Sequence, residues 1–201
     1  YSSENGVLFN KDKTTLLRCP AGKTGDYTVP ESVTIIAQDA FYSSSLTTIS
    51  VGGNVNKISD AAFSFSTMSG ITLEEGIEYI GNDVFKCCIN LVDVKIPSGV
   101  KYLGSAFNEC YYIKNVEIGD NIGEISNNLF AEVKELETLT LGNNYENVSL
   151  LFVLFVGILL IIRYGMAEYL LQKRKRPAYL KKLLLLLNIY PLLNINLYYY
   201  Q

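Results

Sequence analysis

"IEYIGNDVFKCCINLVDVKIPSG", residues 77–99, holds one complete structural unit. A β-branched residue opens it, Ile80 follows three positions later, and Phe85 five beyond that. Then Leu91, Val94 and Ile96 give the pattern apolar-x-x-apolar-x-apolar, and Pro97-Ser98-Gly99 makes a turn. The last three residues of that pattern alternate as a short strand does.

The unit recurs. "VTIIAQDAF" (33–41), "VNKISDAAF" (55–63), "VKYLGSAF" (100–107) and "IGEISNNLF" (122–130) repeat its first half, the third of these one residue short. Phe41, Phe63, Phe85, Phe107 and Phe130 are therefore spaced by 22, 22, 22 and 23 residues. "LTTISV" (46–51), "MSGITL" (68–73), "IKNVEI" (113–118) and "LETLTL" (136–141) repeat the second half, each followed by a Gly- or Asn-rich turn. One unit cannot bury its apolar positions alone, but stacked units bury them in continuous columns. A 22–23-residue period with one short strand per unit falls in the leucine-rich-repeat range.

Residues 5–22, "NGVLFNKDKTTLLRCPAG", read as a hairpin with strands at Val7-Leu8-Phe9 and Leu16-Leu17-Arg18. "YTVP" (27–30) stands where "VKIP" stands in the unit above, as a degenerate first strand. A hairpin at this place covers the open end that a solenoid has to cap.

These stretches, "GVLFNKDKTTLLRCPAGK", "YTVPESVTIIAQDAF" and "IGNDVFKCCINLVDVKIPSGV", resemble the BspA-like leucine-rich repeat family over residues 5–144. That family's repeat has the form I-G-x-x-A-F-x-x-C-x-x-L-x-x-V-x-I-P. Ser44 and Ser66 depart from it at the Cys position, as does the shortened fourth unit. The resemblance implies a surface-exposed adhesin of bacteria or parasitic protists that contacts host matrix proteins or other cells. The expected fold is an α/β-type repeat solenoid with short parallel strands, an N-terminal β-hairpin cap and a C-terminal hydrophobic helix. The expected divisions are residues 1–30 for the cap, 31–144 for the repeats, 145–176 for a membrane helix with its basic flank, and 177–201 for a tail.

Composition removes several function classes. The chain has no histidine, which excludes Ser-His-Asp triads, Cys-His dyads and most zinc sites. A net charge of −3 argues against nucleic acid as a partner, despite six basic residues clustered in "QKRKRPAYLKK" (172–182). "AGKTGD" (21–26) has Leu17 where a phosphate-binding loop needs its first glycine, and it reads as a turn. No catalytic, cofactor or metal site is expected, and the chain is read as a non-enzyme.

Cys88 and Cys110 share the column Ser44, Ser66, Cys88, Cys110, Val133, three residues after each phenylalanine. An inward column takes small residues, and a free thiol there is a small buried hydrophobe. A Cys88–Cys110 disulfide stays open at this point, since neighbouring units lie about 4.8 Å apart. Cys87 is expected on the turn and more exposed.

The outward strand positions are Thr48, Ser50, Thr72, Asp93, Lys95, Asn115, Glu117, Thr138 and Thr140, with Gly70 beside Thr72. They form the candidate binding face of the solenoid sheet, or a solvated strand face with no partner. The expected function is adhesion or protein binding at the cell surface. An intracellular repeat scaffold with a spurious or frameshifted tail is the alternative.

The chain starts at Tyr1 rather than Met, as a processed chain or a fragment does. "SLLFVLFVGILLII" (149–162) is uncharged, and the segment from Ser149 to Leu171 is long enough for a membrane span with "KRKR" (173–176) as an inside flank. Tyr145, Val148 and Phe152 also fit the start of a sixth unit. Residues 180–201, rich in Leu, Asn, Ile and Tyr, are low in complexity and have the composition of translated AT-rich or frameshifted DNA.

Overall fold

The computed structural model describes residues 1–144 and 147–148. These residues carry fifteen short strands and no helix. Strands β1 (Ser2–Glu4), β2 (Val7–Phe9) and β3 (Thr15–Arg18) form an antiparallel meander. The hairpin is the expected one, while β1 adds a strand beyond it. The Lys23 amide closes a turn onto the Pro20 carbonyl at 3.0 Å, in keeping with a turn at the start of "AGKTGD".

The meander is continuous with the solenoid. β3 pairs in parallel with β5 (Ile35–Ile36), setting Leu16 beside Ile36. From β5, parallel pairing runs through β7 (Lys57–Ile58), β9 (Tyr79–Ile80), β11 (Tyr102–Leu103), β13 (Glu124–Ile125) and β15 (Asn147–Val148). One two-residue strand per unit thus closes a nine-stranded sheet. Pairing of Val148 with Ile125 matches the expected start of a sixth unit.

A second row carries the longer strands β4 (Thr24–Thr28), β6 (Ser45–Val51), β8 (Gly70–Leu73), β10 (Asp93–Ile96), β12 (Asn115–Ile118) and β14 (Thr138–Leu141). Tyr27 pairs with Ile49, so the degenerate first strand occupies the expected place.

Between the two rows lies the core. Phe41, Phe63, Phe85, Phe107 and Phe130 are fully buried and stack ring on ring, with centroids 5.0, 5.7, 5.4 and 5.5 Å apart. Each buried ring contributes about 1.5–3 kcal/mol, and near-parallel stacking adds about 0.5–1.5 kcal/mol per pair. The column of Ser44, Ser66, Cys88, Cys110 and Val133 is buried, as its register requires.

The α/β assignment does not hold: among the described residues the fold is all β and turn. The backbone around the phenylalanines bonds sideways to the next unit, with Phe41, Phe63, Phe85 and Phe107 amides donating to the carbonyls of Ala62, Val84, Ala106 and Leu129, and Ser43, Phe65 and Glu109 amides to those of Ser64, Lys86 and Ala131. Two residues after each phenylalanine the backbone is left-handed, at Ser43, Phe65, Cys87, Glu109 and Glu132, with φ between 55° and 60°. A helix needs amides bonded four residues back within one segment, and a left-handed residue interrupts that ladder. The hydrophobic helix expected near the C-terminus, the apolar span from Ser149 and the tail fall outside the described residues. No helix among the described residues is long and apolar enough to cross a membrane.

The four cysteines are free thiols, so the Cys88–Cys110 disulfide is not made. Cys88 Sγ–H donates to the Phe63 carbonyl at 3.1 Å and Cys110 Sγ–H to the Phe85 carbonyl at 2.8 Å. Each thiol satisfies a carbonyl of the preceding unit rather than joining its neighbour.

One break interrupts the second row. β4-β6-β8 and β10-β12-β14 are separate three-stranded sheets. The spacing from phenylalanine to the apolar residue that opens the apolar-x-x-apolar-x-apolar pattern changes there, from five residues (Phe41 to Leu46, Phe63 to Met68) to six (Phe85 to Leu91, Phe107 to Ile113, Phe130 to Leu136). In the earlier units the extra residue is absent, and the Ser45 and Thr67 amides continue the ladder to Ala21 and Ser44. In the third unit a turn closed by the Leu91 amide on the Cys88 carbonyl takes it up, and β10 forms no ladder with β8.

Candidate functional site

The nine outward positions share one face. In register, Thr48 stands beside Gly70 and Ser50 beside Thr72 on the first sheet. Asp93, Asn115 and Thr138 form one column on the second sheet, and Lys95, Glu117 and Thr140 the other. Strand alternation explains this: each inward Val94, Val116 or Leu139 is flanked by two outward residues.

Both columns are tied along the stack. Asn115 Nδ2–H donates to Asp93 Oδ1 at 2.5 Å, and Thr138 Oγ1–H to Asn115 Oδ1 at 2.5 Å. Every donor in this chain points toward the Asp93 carboxylate. Opposite it, Lys95 Nζ meets Glu117 Oε1 at 2.6 Å, and that bond together with the charge of Glu117 raises the lysine pKa above its usual value. On the first sheet Thr48 Oγ1–H donates to Asp26 at 2.6 Å, carrying the column back into β4.

A concavity of about 420 Å³ lies over the second sheet. Six of the nine expected positions line it: Asp93, Lys95, Asn115, Glu117, Thr138 and Thr140. Thr48, Ser50 and Thr72 lie on the same face across the break and outside the concavity. The floor includes Val94 and Val116, and Ile71 enters it from across the break. Ile71 was not legible as a site residue, because its column mates Ile49, Val94 and Val116 are buried. At the break it is only half-buried, and its neighbour Gly70 leaves the polar column without a side chain.

A second polar cluster lies on the turn side. Cys87 Sγ–H donates to Glu109 Oε2 at 3.4 Å, Lys86 Nζ meets Glu109 Oε1 at 3.0 Å, and Tyr111 O–H donates to the same carboxylate at 3.4 Å. The Lys86 bond, then the Cys87 bond, holds Glu109 below the usual carboxylate range. Burial first, and the Glu109 contact second, pushes the Cys87 thiol up. Cys88 is driven to about 12 by burial. As expected, Cys87 is the more exposed of the two. Among the described residues no group of three or more His, Cys, Asp or Glu side chains is placed to hold a metal ion.

The model of the BspA type leucine rich repeat region matches residues 23–137 in six copies. No curated protein matches the chain. Three solved structures are similar. The pneumococcal vaccine antigen PcpA is 27% identical with a TM-score of 0.63, over 73% of this chain and 37% of that one. A leucine rich cell surface protein from Faecalibacterium prausnitzii A2-165 is 22% identical, TM-score 0.62, over 75% and 40%. A leucine-rich repeat protein from Eubacterium ventriosum ATCC 27560 is 24% identical, TM-score 0.62, over 72% and 40%. The last two likenesses show the fold alone. The similarity covers no more than 40% of the length of any of the three.

Proposed function

The chain belongs to the BspA-type leucine-rich repeat family, and from that premise we propose that it is a non-catalytic cell-surface protein. Its strand face binds a macromolecular partner, a host matrix or cell-surface protein. The observation that carries this reading is the gathering of six registered polar positions around one concavity on the strand face. Similarity to a pneumococcal vaccine antigen supports the location. Residues 1–30 act as the cap, residues 31–144 as the binding body, and the apolar segment from Ser149 with its basic flank as the anchor.

Small hydroxyl and amide side chains give many weak contacts rather than a few large anchors. Affinity then comes from display of many copies on one surface. Two measurements test the reading together. Intact cells are labelled with a membrane-impermeant amine reagent, and the purified full chain is coated on beads and presented to immobilised matrix proteins and to cell monolayers. The expected result is labelling of repeat lysines on intact cells and bead retention that falls when free chain competes. Labelling only after lysis, with no competed retention, overturns it in favour of an intracellular scaffold.

A further inference from the structure

We propose that the break between β8 and β10 is a receptor for a cationic side chain, arginine or lysine, of the protein partner. The inference rests on the strand-face reading above and specifies what that face recognises.

Three features meet there. The polar column that runs Asp26, Thr48, then Asp93, Asn115, Thr138 has Gly70 at its centre, so one rung of wall is missing. Through that opening Ile71 is half-exposed on the floor of the concavity, an apolar surface suited to a methylene stem. At its far side stands Asp93. The hydrogen-bond chain from Thr138 through Asn115 donates into Oδ1 of its carboxylate, which fixes the group without neutralising it. A guanidinium or ammonium laid over Ile71 reaches that carboxylate, and charge-assisted bonds of this kind are about twice as strong as neutral ones.

The charges around the position agree with a cation. Lys95 is the one cationic residue lining the concavity, and Glu117 pairs with it at 2.6 Å. Glu75 adds a further negative field felt by Lys95. With Asp93 the surroundings keep an excess of negative charge.

Gly70 provides a clean test. A Cβ built there meets only Thr48 Cγ2 at 3.6 Å, an ordinary contact, and its φ is not left-handed. The backbone therefore accepts a Cβ at this position, and Gly70→Thr refills the wall, with folding checked by the dispersion of the amide spectrum. The probe is Nα-acetyl-arginine amide, with Nα-acetyl-citrulline amide as its uncharged isostere, titrated into the isotope-labelled full chain while amide shifts are followed. The expected result is saturable shifts centred on Gly70, Ile71 and Asp93 at roughly millimolar probe, none with citrulline. Gly70→Thr and Asp93→Asn weaken binding about tenfold or more. Lys95→Ala, which removes the competing cation, tightens it several-fold, a gain that a folding defect does not produce. Equal response to citrulline, shifts spread over the surface without saturation, or indifference to Gly70→Thr overturns the proposal. If strand-face substitutions abolish macromolecular binding while the arginine probe is ignored, this inference fails and the proposed function stands. If the probe binds here and macromolecular binding ignores the face, the proposed function fails instead.

Discussion

Asn90 Nδ2–H donates to the Thr67 carbonyl across 3.0 Å, at the step where the strand row divides. In the unit before, the step is bridged by main chain, the Thr67 amide donating to the Ser44 carbonyl and the Ser69 amide to the Thr47 carbonyl. A side chain thus bonds across the step at which β8 and β10 form no ladder. The buried Ser66 hydroxyl and Cys88 thiol meet at 3.4 Å beneath it.

From that follows the first prediction. Asn90→Ala leaves the Thr67 carbonyl to water and loosens the join. Because the site is exposed, the cost is about 0.5–1.5 kcal/mol, read as a lower urea midpoint at unchanged slope. The neighbouring Thr72→Ala, on the outward face, changes stability by no more than about 0.5 kcal/mol.

The phenylalanine spine sets the larger scale. Phe85 packs between Phe63 and Phe107 with nothing of it exposed. Phe85→Ala leaves a cavity that costs about 3–5 kcal/mol, a large part of a typical domain's 5–15 kcal/mol. Chemical denaturation checks this, and the loss exceeds that of any outward residue on the same unit.

Thiol chemistry separates the adjacent cysteines. Cys87 is alkylated before Cys88, Cys19 and Cys110 in the folded chain, because the other three are buried. Burial and the Glu109 carboxylate hold its pKa above the ordinary 9.0, so its rate keeps rising with pH beyond that value. Glu109→Gln removes the negative charge and frees Lys86, and both changes lower the pKa and speed alkylation at fixed pH. Peptide mapping after timed alkylation reads the order, and Cys88 labelled first contradicts it.

How much of this was legible in the chain depends on what kind of signal each feature leaves. The spine, the hairpin and the inward Ser/Cys column each carry a distinctive residue at a fixed spacing, and the structure places them as expected. The absence of helix was not legible. The left-handed position two after each phenylalanine is filled by Ser43, Phe65, Cys87, Glu109 and Glu132, with no glycine or asparagine to mark it. Its conformation comes from stacking against neighbouring units, a tertiary effect. β1 was missed because Ser2-Ser3-Glu4 has no apolar alternation. The break in the strand row was hidden for a different reason. The third unit gains a residue after Phe85 and the fourth loses one before Phe107, so the 22-residue phenylalanine spacing conceals both. The strand-face positions follow from alternation alone, whereas Ile71 joins them only because the sheet divides beside it.

In the proposed function the strand face, and not the nine-stranded face, meets the partner. A direct measurement compares two triple variants of the full chain in the bead-retention assay. Thr72→Arg, Glu117→Arg and Thr140→Arg alter the strand face, and Lys57→Glu, Glu78→Arg and Tyr102→Glu alter the opposite one, all at positions that are not buried. With both variants folded by circular dichroism, retention falls at least about tenfold, roughly 1.4 kcal/mol, for the strand-face variant and stays at wild-type level for the other. Equal retention by the two, or loss confined to the nine-stranded face, contradicts the account.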